Sequence, residues 1–565
     1  MRAASQVSPP VCDPLPPALQ AAVGGPPGLS ARPPRYATAV QVLLVLAALT
    51  CVLGYAQKVQ CRDTRMWQHE YQYTHLCYTD VVALWGSESL DKGSRPFLDH
   101  AVEYPVLIGA AMQLAAPLGQ VQQAAHLAPA GYTQDEQVAR FFDATALLLA
   151  AAALVTVACT ALIAGRRPWD AALVAVAPAL LLHAFTNWDL LAVAAASGGL
   201  LAWSRRAPRL AGLLLGLGIA TKAYPVLLLL ALLPLCLRAG RLHAWARAAV
   251  TAAVTVLAVY VPVYLLAGYG SAAAGAVTGP SAWSAFWGGN GLAGLAAHHG
   301  DASNALLRFF ALNSSRPADW DSLPYALQYL SGAHSITPVG LRVVLVLVAA
   351  AAVLGMAFAL RRSRRVAAGV LVVGAAAVLA LALVSGRVVA SGATGFPVQP
   401  LNAVSAVACG LLLSAVAVLA LRAPVPPRVP QVALLAVIAF LLTNKVYSPQ
   451  YALWLLPLVA LARPRWGMFL VWQLTEALVL LTRLLYFVSL DTTGRAGIGG
   501  GWFVAAVLVR DLVLAVIAGL VVRDVLRPEH DIVRAAGVDD PTGGVLREPE
   551  RPRADRRPAE VLVPG

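Results

Sequence analysis

Long apolar runs alternate with short polar or charged segments along most of this chain of 565 residues. An α-helix needs about 20 mostly apolar residues to cross a bilayer, and many of the runs reach or approach that length. The pattern therefore predicts an all-α polytopic membrane protein. The predicted spans, with approximate bounds, lie at residues 38–56, 104–118, 138–164, 171–185, 190–203, 250–266, 339–360, 366–385, 401–421, 430–443, 451–462, 466–488 and 502–522.

One apolar stretch, residues 210–237, does not fit a simple crossing. It is too short for two full spans and long for one, and basic residues flank it on both sides. Pro225 cannot continue a helix unbroken. We therefore expect a hairpin of two half-length helices, with residues 222–225 at its tip.

Composition and charge support the membrane prediction. The chain is 59% hydrophobic and 12% charged, whereas a soluble protein carries about twice that charged fraction. The net charge of +14 comes mostly from arginines at the ends of apolar runs, which fits cytoplasmic anchoring in a plasma membrane. No basic residues interleave with aromatic residues on a polar surface. A lipid bilayer is therefore an expected partner, and a nucleic acid is not.

Three parts follow from these patterns. Residues 1–36 are Pro-rich without an apolar core and read as a disordered cytoplasmic tail, not as a signal peptide. Residues 37–522 form the multi-span domain, and residues 523–565 form a second disordered cytoplasmic tail. Two long polar loops, 57–103 and 267–338, are expected on the extracytoplasmic side. The exact number of spans stays open, because placing the basic residues 361–365 in the cytoplasm requires one re-entrant or miscounted segment between residues 104 and 237.

The first long loop, residues 57–103, collects acidic residues in a stretch that also has apolar positions. Such a mixture predicts short amphipathic helices on the membrane surface. Asp80 stands out because residues 81–84 are apolar and helix-forming, so a rigid element can aim its carboxylate. A carboxylate at this boundary can act as a general base on a sugar hydroxyl. Glu103 is the second candidate, either as the base or as a residue that hydrogen-bonds the substrate.

Two cysteines, Cys61 and Cys77, lie in the same loop just before Asp80. The compartment expected for this loop permits a disulfide, although two free thiols remain the alternative. The Cα separation tests the bridge, because beyond about 7 Å it requires backbone movement.

Two lysines are candidate partners for an anionic substrate. A lysine inside a membrane segment is costly, so Lys222 needs a partner, either a phosphate headgroup or Asp189. Lys445 lies nearer the interface, where its side chain can extend to water at little cost. Further substrate-binding candidates come from the polar segments around these residues, namely Tyr104, Asn187, Asp189, Tyr224, Tyr447 and Gln450.

The residue types indicate a sufficient set for sugar transfer from a lipid phosphate. The leaving phosphate needs cations to hold its developing charge, and the acceptor hydroxyl needs one base. Asp80 with Lys222 and Lys445 supplies that set. The sequence has no zinc-type Cys/His spacing, so no metal ligands are assigned. No cofactor is certain, and a divalent cation stays open.

Several motifs together resemble one family. The loop Asp80, the E-Y-P step at residues 103–105, and the segments N-W-D, A-T-K-A-Y-P and N-K-V-Y-S-P-Q-Y-A-L-W-L-L-P-L resemble C-type (GT-C) glycosyltransferases and, among them, glycosyltransferase family 87, the polyprenyl-phosphate-mannose-dependent α-mannosyltransferases of actinobacteria. The resemblance extends from about residue 42 to residue 522. It implies a GT-C fold, a polyprenyl-phosphate sugar donor and a catalytic role for Asp80. Val106 stands where many members have a second proline, which leaves the donor and the acceptor open.

The sequence thus predicts an inverting glycosyltransferase with its active site on the extracytoplasmic face. It would move a hexose, with mannose favoured, to a lipid- or cell-wall-linked glycan. A transporter or lipid-linked-glycan flippase is the alternative, and it predicts repeat symmetry and ionisable residues near the bilayer midplane. An inactive scaffold for wall synthesis predicts that Asp80→Asn leaves function intact.

Overall fold

The computed structural model describes residues 13, 36–68, 70–124, 134–271, 277–281, 302–332, 398–490, 496–535 and 539–547. Most of these residues are helical, so the prediction of an all-α polytopic membrane protein is confirmed. The predicted spans 339–360 and 366–385 and the basic residues 361–365 lie outside the described residues, as does nearly all of the predicted N-terminal tail.

The first half of the chain runs from the first long helix to a small sheet. Its elements are α1 (Tyr36–Lys58), α2 (Arg65–Gln68), α3 (Tyr71–Thr74), α4 (Asp80–Ser87), α5 (Val106–Ala124), α6 (Gln134–Ala164), α7 (Ala172–Ala175), α8 (Pro178–His183), α9 (Asp189–Ser204), α10 (Pro208–Thr221), α11 (Val226–Arg238), α12 (Leu242–Leu266), β1 (Gly268–Ser271), β2 (Val277–Ser281) and β3 (Ala302–Asn304).

The described elements of the second half are all helices or 3₁₀ turns. Its elements are α13 (Arg308–Ser315), α14 (Leu323–Gly332), α15 (Val398–Arg422), α16 (Val429–Thr443), α17 (Ala452–Ala462), α18 (Trp466–Leu490), α19 (Gly500–Leu526) and α20 (Ile532–Ala535). Single 3₁₀ turns connect several elements of both halves, at Val59–Arg62, Leu90–Lys92, Pro168–Ala171, Ala305–Leu307, Pro449–Tyr451, Pro528–His530 and Gly544–Leu546.

Helix length sorts the described helices into two groups. Six of them are long and apolar enough to cross a membrane: α1, α6, α12, α15, α18 and α19. Shorter apolar helices such as α9, α10 and α11 pack between them. Two short helices with a break at residues 222–225 are present as expected, since α10 ends at Thr221 and α11 begins at Val226 after Pro225.

Small residues allow α10 and α12 to approach closely. A Cβ atom added to Gly216 would lie 2.7 Å from the Ala252 carbonyl oxygen and 2.7 Å from the Thr255 Cβ. Gly212, one turn earlier, lies equally tightly against Ala248. Such small-residue crossings stabilise membrane helix pairs through backbone-to-backbone packing.

The first loop folds into short helices, as its mixed pattern predicted. The segment between α1 and α5 contains α2, α3 and α4. Thr79 caps α4, because its hydroxyl accepts a hydrogen bond from the Val81 amide at 3.2 Å. The same hydroxyl donates to the Phe185 carbonyl at 2.7 Å, and the Asp80 amide donates to the Thr186 carbonyl at 2.9 Å. These bonds fix the start of α4 against the segment that precedes α9.

A small antiparallel sheet departs from the purely helical expectation. β1 pairs with both β2 and β3 in the second long loop. The strands are three to five residues long and include glycines. Their pairing rests on backbone hydrogen bonds without an alternating apolar pattern, which is why sequence periodicity did not reveal them.

The sequence after residue 522, predicted as a disordered tail, is partly packed against the bundle. α19 continues to Leu526, and Asp531 accepts two hydrogen bonds from the buried Arg428 guanidinium, at 2.7 and 2.9 Å. Asp540 accepts from the Val429 amide at 3.2 Å. The disordered-tail prediction does not describe these residues, because buried ion pairs order polar sequence that has little apolar pattern of its own. Asp13, in the predicted N-terminal tail, is buried and accepts from the Trp466 amide at 2.8 Å.

Candidate functional site

A cavity of about 300 Å³ lies where the first loop meets the ends of α1, α8, α10 and α18. Carboxylates, cations and aromatic rings line it together. Six of the residues singled out from the sequence line this one cavity: Asp80, Glu103, Tyr104, Asn187, Lys222 and Gln450. The site therefore joins segments that are hundreds of residues apart.

Hydrogen bonds on both carboxylate oxygens orient Asp80. Its Oδ1 accepts from the Tyr78 hydroxyl at 2.9 Å, and its Oδ2 accepts from the Asn187 side-chain amide at 2.7 Å. The Asp80 charge, followed by burial, raises the pKa of Tyr78 well above its usual range. Tyr78 consequently stays protonated and remains a donor to the carboxylate.

Tyr104 completes this part of the wall. The Asn187 amide also donates to the Tyr104 hydroxyl, at 2.9 Å. Burial raises the pKa of Tyr104 well above its usual range, and the Asp80 charge raises it further. The tyrosine therefore presents a neutral ring and hydroxyl to the cavity, which suits contact with a sugar.

Glu103 lies on the cavity wall at the step before Tyr104. Its carboxylate is 4.0 Å from the Arg316 guanidinium, and its amide donates to Glu88 at 3.2 Å. Burial raises the pKa of Glu103, and the Glu88 charge adds to that shift. Glu103 thus exchanges its proton at a higher pH than an ordinary glutamate.

Lys222 pairs with Asp189, one of the two partners that the sequence left open, and it also lines the cavity. Its ammonium lies 3.5 Å from the Asp189 carboxylate and over the rings of Tyr104 and Tyr451, at 5.2 and 5.6 Å. Asp189 itself is fully buried, and its other oxygen accepts from the Trp454 indole at 2.8 Å. Lys222 is therefore a cation whose charge is already partly neutralised.

Besides Asp189, three residues singled out from the sequence lie away from the cavity wall. Tyr224 is buried and stacks on Trp454 with ring centroids 4.5 Å apart. The Lys445 ammonium donates to the Arg316 carbonyl at 2.5 Å and so braces the loop before α14. Tyr447 is buried under the Arg510 guanidinium, 3.7 Å from its ring centroid.

Other polar side chains on the wall were not singled out from the sequence: Lys58, His183, Arg316, Asp319 and Arg483. Arg483 carried a usable sequence feature, because it is a lone arginine inside the apolar run of α18, and ionisable residues in such runs are usually functional. His183 carried the same feature, because it lies inside the predicted span 171–185, whereas Lys58 follows the first predicted span and had no such feature.

Cys61 and Cys77 form a disulfide, and their Cα atoms are 5.6 Å apart. The bridge connects the end of α1 to the residue three positions before Asp80. It restrains the chain on the way into α4. Within the described residues, no group of three or more histidine, cysteine, aspartate or glutamate side chains is arranged to hold a metal ion.

This arrangement supports one kind of chemistry in particular. An oriented carboxylate faces the cavity of about 300 Å³, and cations line the same cavity. Such a site can take a proton from a hydroxyl while a phosphate charge develops nearby.

The comparisons with known proteins identify one family. Residues 123–386 match the family model described as glycosyltransferase family 87. This range contains Asn187 and Lys222 of the cavity, and Asp80 precedes it. A comparison with curated proteins returned no match. The family that the sequence motifs resembled is confirmed over the matched range.

Proposed function

We propose that this membrane protein, whose residues 123–386 match glycosyltransferase family 87, transfers a hexose from a polyprenyl phosphate to a lipid- or cell-wall-linked glycan. Mannose is the first sugar to test, because the sequence resemblance favours it. The reaction inverts the anomeric carbon, since a single base and a direct displacement suffice. We place the active site on the extracytoplasmic face of the plasma membrane.

The observation that carries this proposal is the double hydrogen bonding of Asp80 at the cavity wall. In the transfer, the bond from the anomeric carbon to the phosphate oxygen breaks, and its electron pair stays on the phosphate. A bond forms between the anomeric carbon and the acceptor oxygen. The acceptor proton passes to Asp80. No oxidant, reductant or further reactant is needed.

The phosphate gains a negative charge during the proposed transfer, which gives the cations on the cavity wall a role. The donor is a phosphodiester with one negative charge, and the released polyprenyl phosphate carries two. The additional charge appears in the transition state and is stabilised by preorganised cations and hydrogen-bond donors. Arg316, Lys222 and Arg483 line the same cavity as Asp80 and supply such groups.

Glu103 holds the acceptor in this proposal. Its carboxylate lies on the wall beside Tyr104, where it can accept a hydrogen bond from a sugar hydroxyl. Arg316 at 4.0 Å favours its ionised form. Glu103 is also the rival base, and the experiment below separates the two assignments.

The disulfide supports the proposed side of the membrane. Cys61 and Cys77 are bonded in the loop that carries Asp80. Disulfides persist in oxidising compartments and are rare in the cytosol. An extracytoplasmic loop is therefore the fitting location for this site.

The test is donor turnover by the purified protein in lipid nanodiscs with labelled polyprenyl-phosphate mannose. General-base catalysis contributes about 10²- to 10⁴-fold, so Asp80→Asn should lower turnover by that order with little change in donor affinity. Asp99→Asn is the matched control, because Asp99 is an acid of the same loop that pairs with Arg95 at the surface. If Asp80→Asn keeps the wild-type rate while Glu103→Gln is inactive, Glu103 is the base. If both variants transfer sugar normally, the transferase mechanism at this cavity is wrong.

A further inference from the structure

We propose that the phosphate of the donor binds to Lys58, His183 and Arg483, residues that neither the sequence motifs nor the family match assigns. The inference rests on the proposed function, because it names the subsite for the phosphate of that donor. All three side chains line the cavity that holds Asp80. They are here called the phosphate wall.

The phosphate wall is formed by three neighbouring helices. Lys58 ends α1, His183 ends α8, and Arg483 lies within α18. Helix α8 packs against both α1 and α18. The fold therefore brings two cations and an imidazole to one side of the cavity.

The hydrogen-bonding state of these groups points to a ligand. His183 is fully buried, and among the described residues neither of its ring nitrogens has a hydrogen-bond partner. Arg483 places one guanidinium nitrogen 2.8 Å from Asp321, but its buried Nε has no partner in the same set of residues. A buried donor without a partner costs about 1–3 kcal/mol. Phosphate oxygens only accept hydrogen bonds, so a bound phosphate would satisfy the Arg483 Nε–H and the single N–H of a neutral His183 ring.

Lys222 is the less suitable phosphate ligand. Its ammonium is already 3.5 Å from the Asp189 carboxylate and lies over two tyrosine rings. Arg483 also has a carboxylate partner, Asp321, but a guanidinium is a planar fork that can bind a carboxylate on one side and a phosphate on the other. Asp321 therefore positions Arg483 without using all of its donors.

Tyr78 connects the phosphate wall to the base. Its backbone carbonyl accepts from the Lys58 ammonium at 2.7 Å, and its hydroxyl donates to Asp80 at 2.9 Å. The base and the proposed phosphate site thus belong to one hydrogen-bonded unit. A displacement of the phosphate wall therefore also changes the position of Asp80.

An apolar groove on the same helices favours a lipid phosphate over a free one. Leu46, Leu49 and Leu53 of α1 face Pro178 and Leu181 of α8 across a groove of about 450 Å³. Along both helices, the groove residues precede the wall residues Lys58 and His183. Leu49 and Leu53 are more than half exposed on a helix that is apolar enough to cross a membrane, so the groove opens where lipid chains lie. The isoprenoid chain of the donor is the occupant that fits this position.

The test measures the affinity of polyprenyl phosphate and of the matched uncharged polyprenol for the full chain in nanodiscs. The wild type should prefer the phosphate. Arg483→Gln and His183→Leu should each reduce this preference, by about 10- to 100-fold for Arg483, because a hydrogen bond to a charged group is worth about 1.5–3 kcal/mol. Polyprenol affinity should stay unchanged, which separates a lost phosphate contact from misfolding. Arg65→Gln is the control, since Arg65 is exposed on α2 and lies outside the cavity.

Three other outcomes would each contradict a specific part of the proposal. If Lys222→Gln removes the preference and the two wall variants keep it, the phosphate binds at Lys222 and this inference is wrong. If inorganic phosphate competes as well as polyprenyl phosphate, the site takes a free anion and not a lipid. If the wild type does not distinguish polyprenyl phosphate from polyprenol, the donor class in the proposed function fails.

Discussion

The side-chain amide of Asn187 donates a hydrogen bond of 2.7 Å to the Asp80 carboxylate, across 107 residues of sequence. The Asn187 side-chain oxygen accepts from the Trp188 amide at 2.6 Å, and the same side-chain nitrogen reaches Tyr104 at 2.9 Å. These three contacts fix the direction of the amide. Asn187 is therefore a positioning residue for the proposed base.

Asn187→Ala should lower kcat and leave donor affinity nearly unchanged. Without the amide, Asp80 keeps the Tyr78 bond but loses the contact that fixes its second oxygen. A misplacement of about 1 Å can reduce a rate by about 10²-fold. Steady-state kinetics with labelled donor measure the effect. Asn402→Ala is the control, because Asn402 is not among the residues that line the cavity and its side-chain amide donates to the Ser314 carbonyl at 2.8 Å. A wild-type kcat for Asn187→Ala would contradict the positioning role.

Glu103 should make acceptor binding depend on pH. Burial, with the Glu88 charge, raises the pKa of Glu103, so Glu103 becomes protonated at a higher pH than an ordinary glutamate as the pH falls. The ionised form accepts the sugar hydroxyl in our proposal. The acceptor KM should therefore rise as the pH falls through that raised pKa. Glu103→Gln should show a high KM that no longer changes over this window, and a KM profile identical to the wild type would exclude this role.

A buried ion pair joins α16 to the segment after α19. The guanidinium of Arg428 is buried and lies 2.7 Å from the Asp531 carboxylate. Removing one member of such a pair leaves a buried charge and costs about 3–5 kcal/mol. Asp531→Ala should lower the unfolding free energy by that amount in detergent. Glu529→Ala is the control, because Glu529 is a mostly exposed neighbour. Equal stability of the two variants would show that the pair contributes little.

The helical parts of the fold were predictable because apolar length and proline position act locally. The break at Pro225 and the short helices before α5 both follow from residues within a few positions. The cavity was partly predictable, since Asp80, Asn187 and Lys222 belong to motifs that resemble one family. That these three residues line one cavity depends on the tertiary structure, which the motifs suggested but did not prove.

The remaining wall residues depend on which helix face meets the cavity. Arg483 lies in an apolar run whose sequence does not show which side faces water. His183 depends on the packing of α8 between two other helices. Tyr447 and Lys445 belong to the same motif as Gln450, but of these three residues Gln450 alone is on the cavity wall, together with Val446, Ser448, Pro449 and Tyr451 of the motif. Motif resemblance carries no information about which of these side chains reach the cavity.

Gly216 should be intolerant of a side chain. A Cβ atom there would lie 2.7 Å from the Ala252 carbonyl oxygen, a contact that the backbone of α12 cannot avoid easily. Overpacking of this kind costs about 1–3 kcal/mol. Gly216→Ala should therefore lower the thermal unfolding midpoint. Gly519→Ala is the matched control, because a Cβ on that helical glycine meets nothing within 4 Å. If both variants unfold alike, α10 and α12 do not pack as closely as described.

Loss of the Cys61–Cys77 bridge should weaken the fold and the active site together. The bridge joins residues 16 positions apart. In the chain-entropy model, closing a loop of that size stabilises the folded state by about 3 kcal/mol. Asp80 follows Cys77 by three residues, so a freer loop also loosens the approach to α4. Cys77→Ser should lower both the unfolding midpoint and kcat, and reductant should do the same to the wild type. Cys409→Ser is the control, since Cys409 is a free thiol in α15. If reductant leaves the wild type unchanged while the thiols become labelled, the bridge restrains neither the fold nor the site.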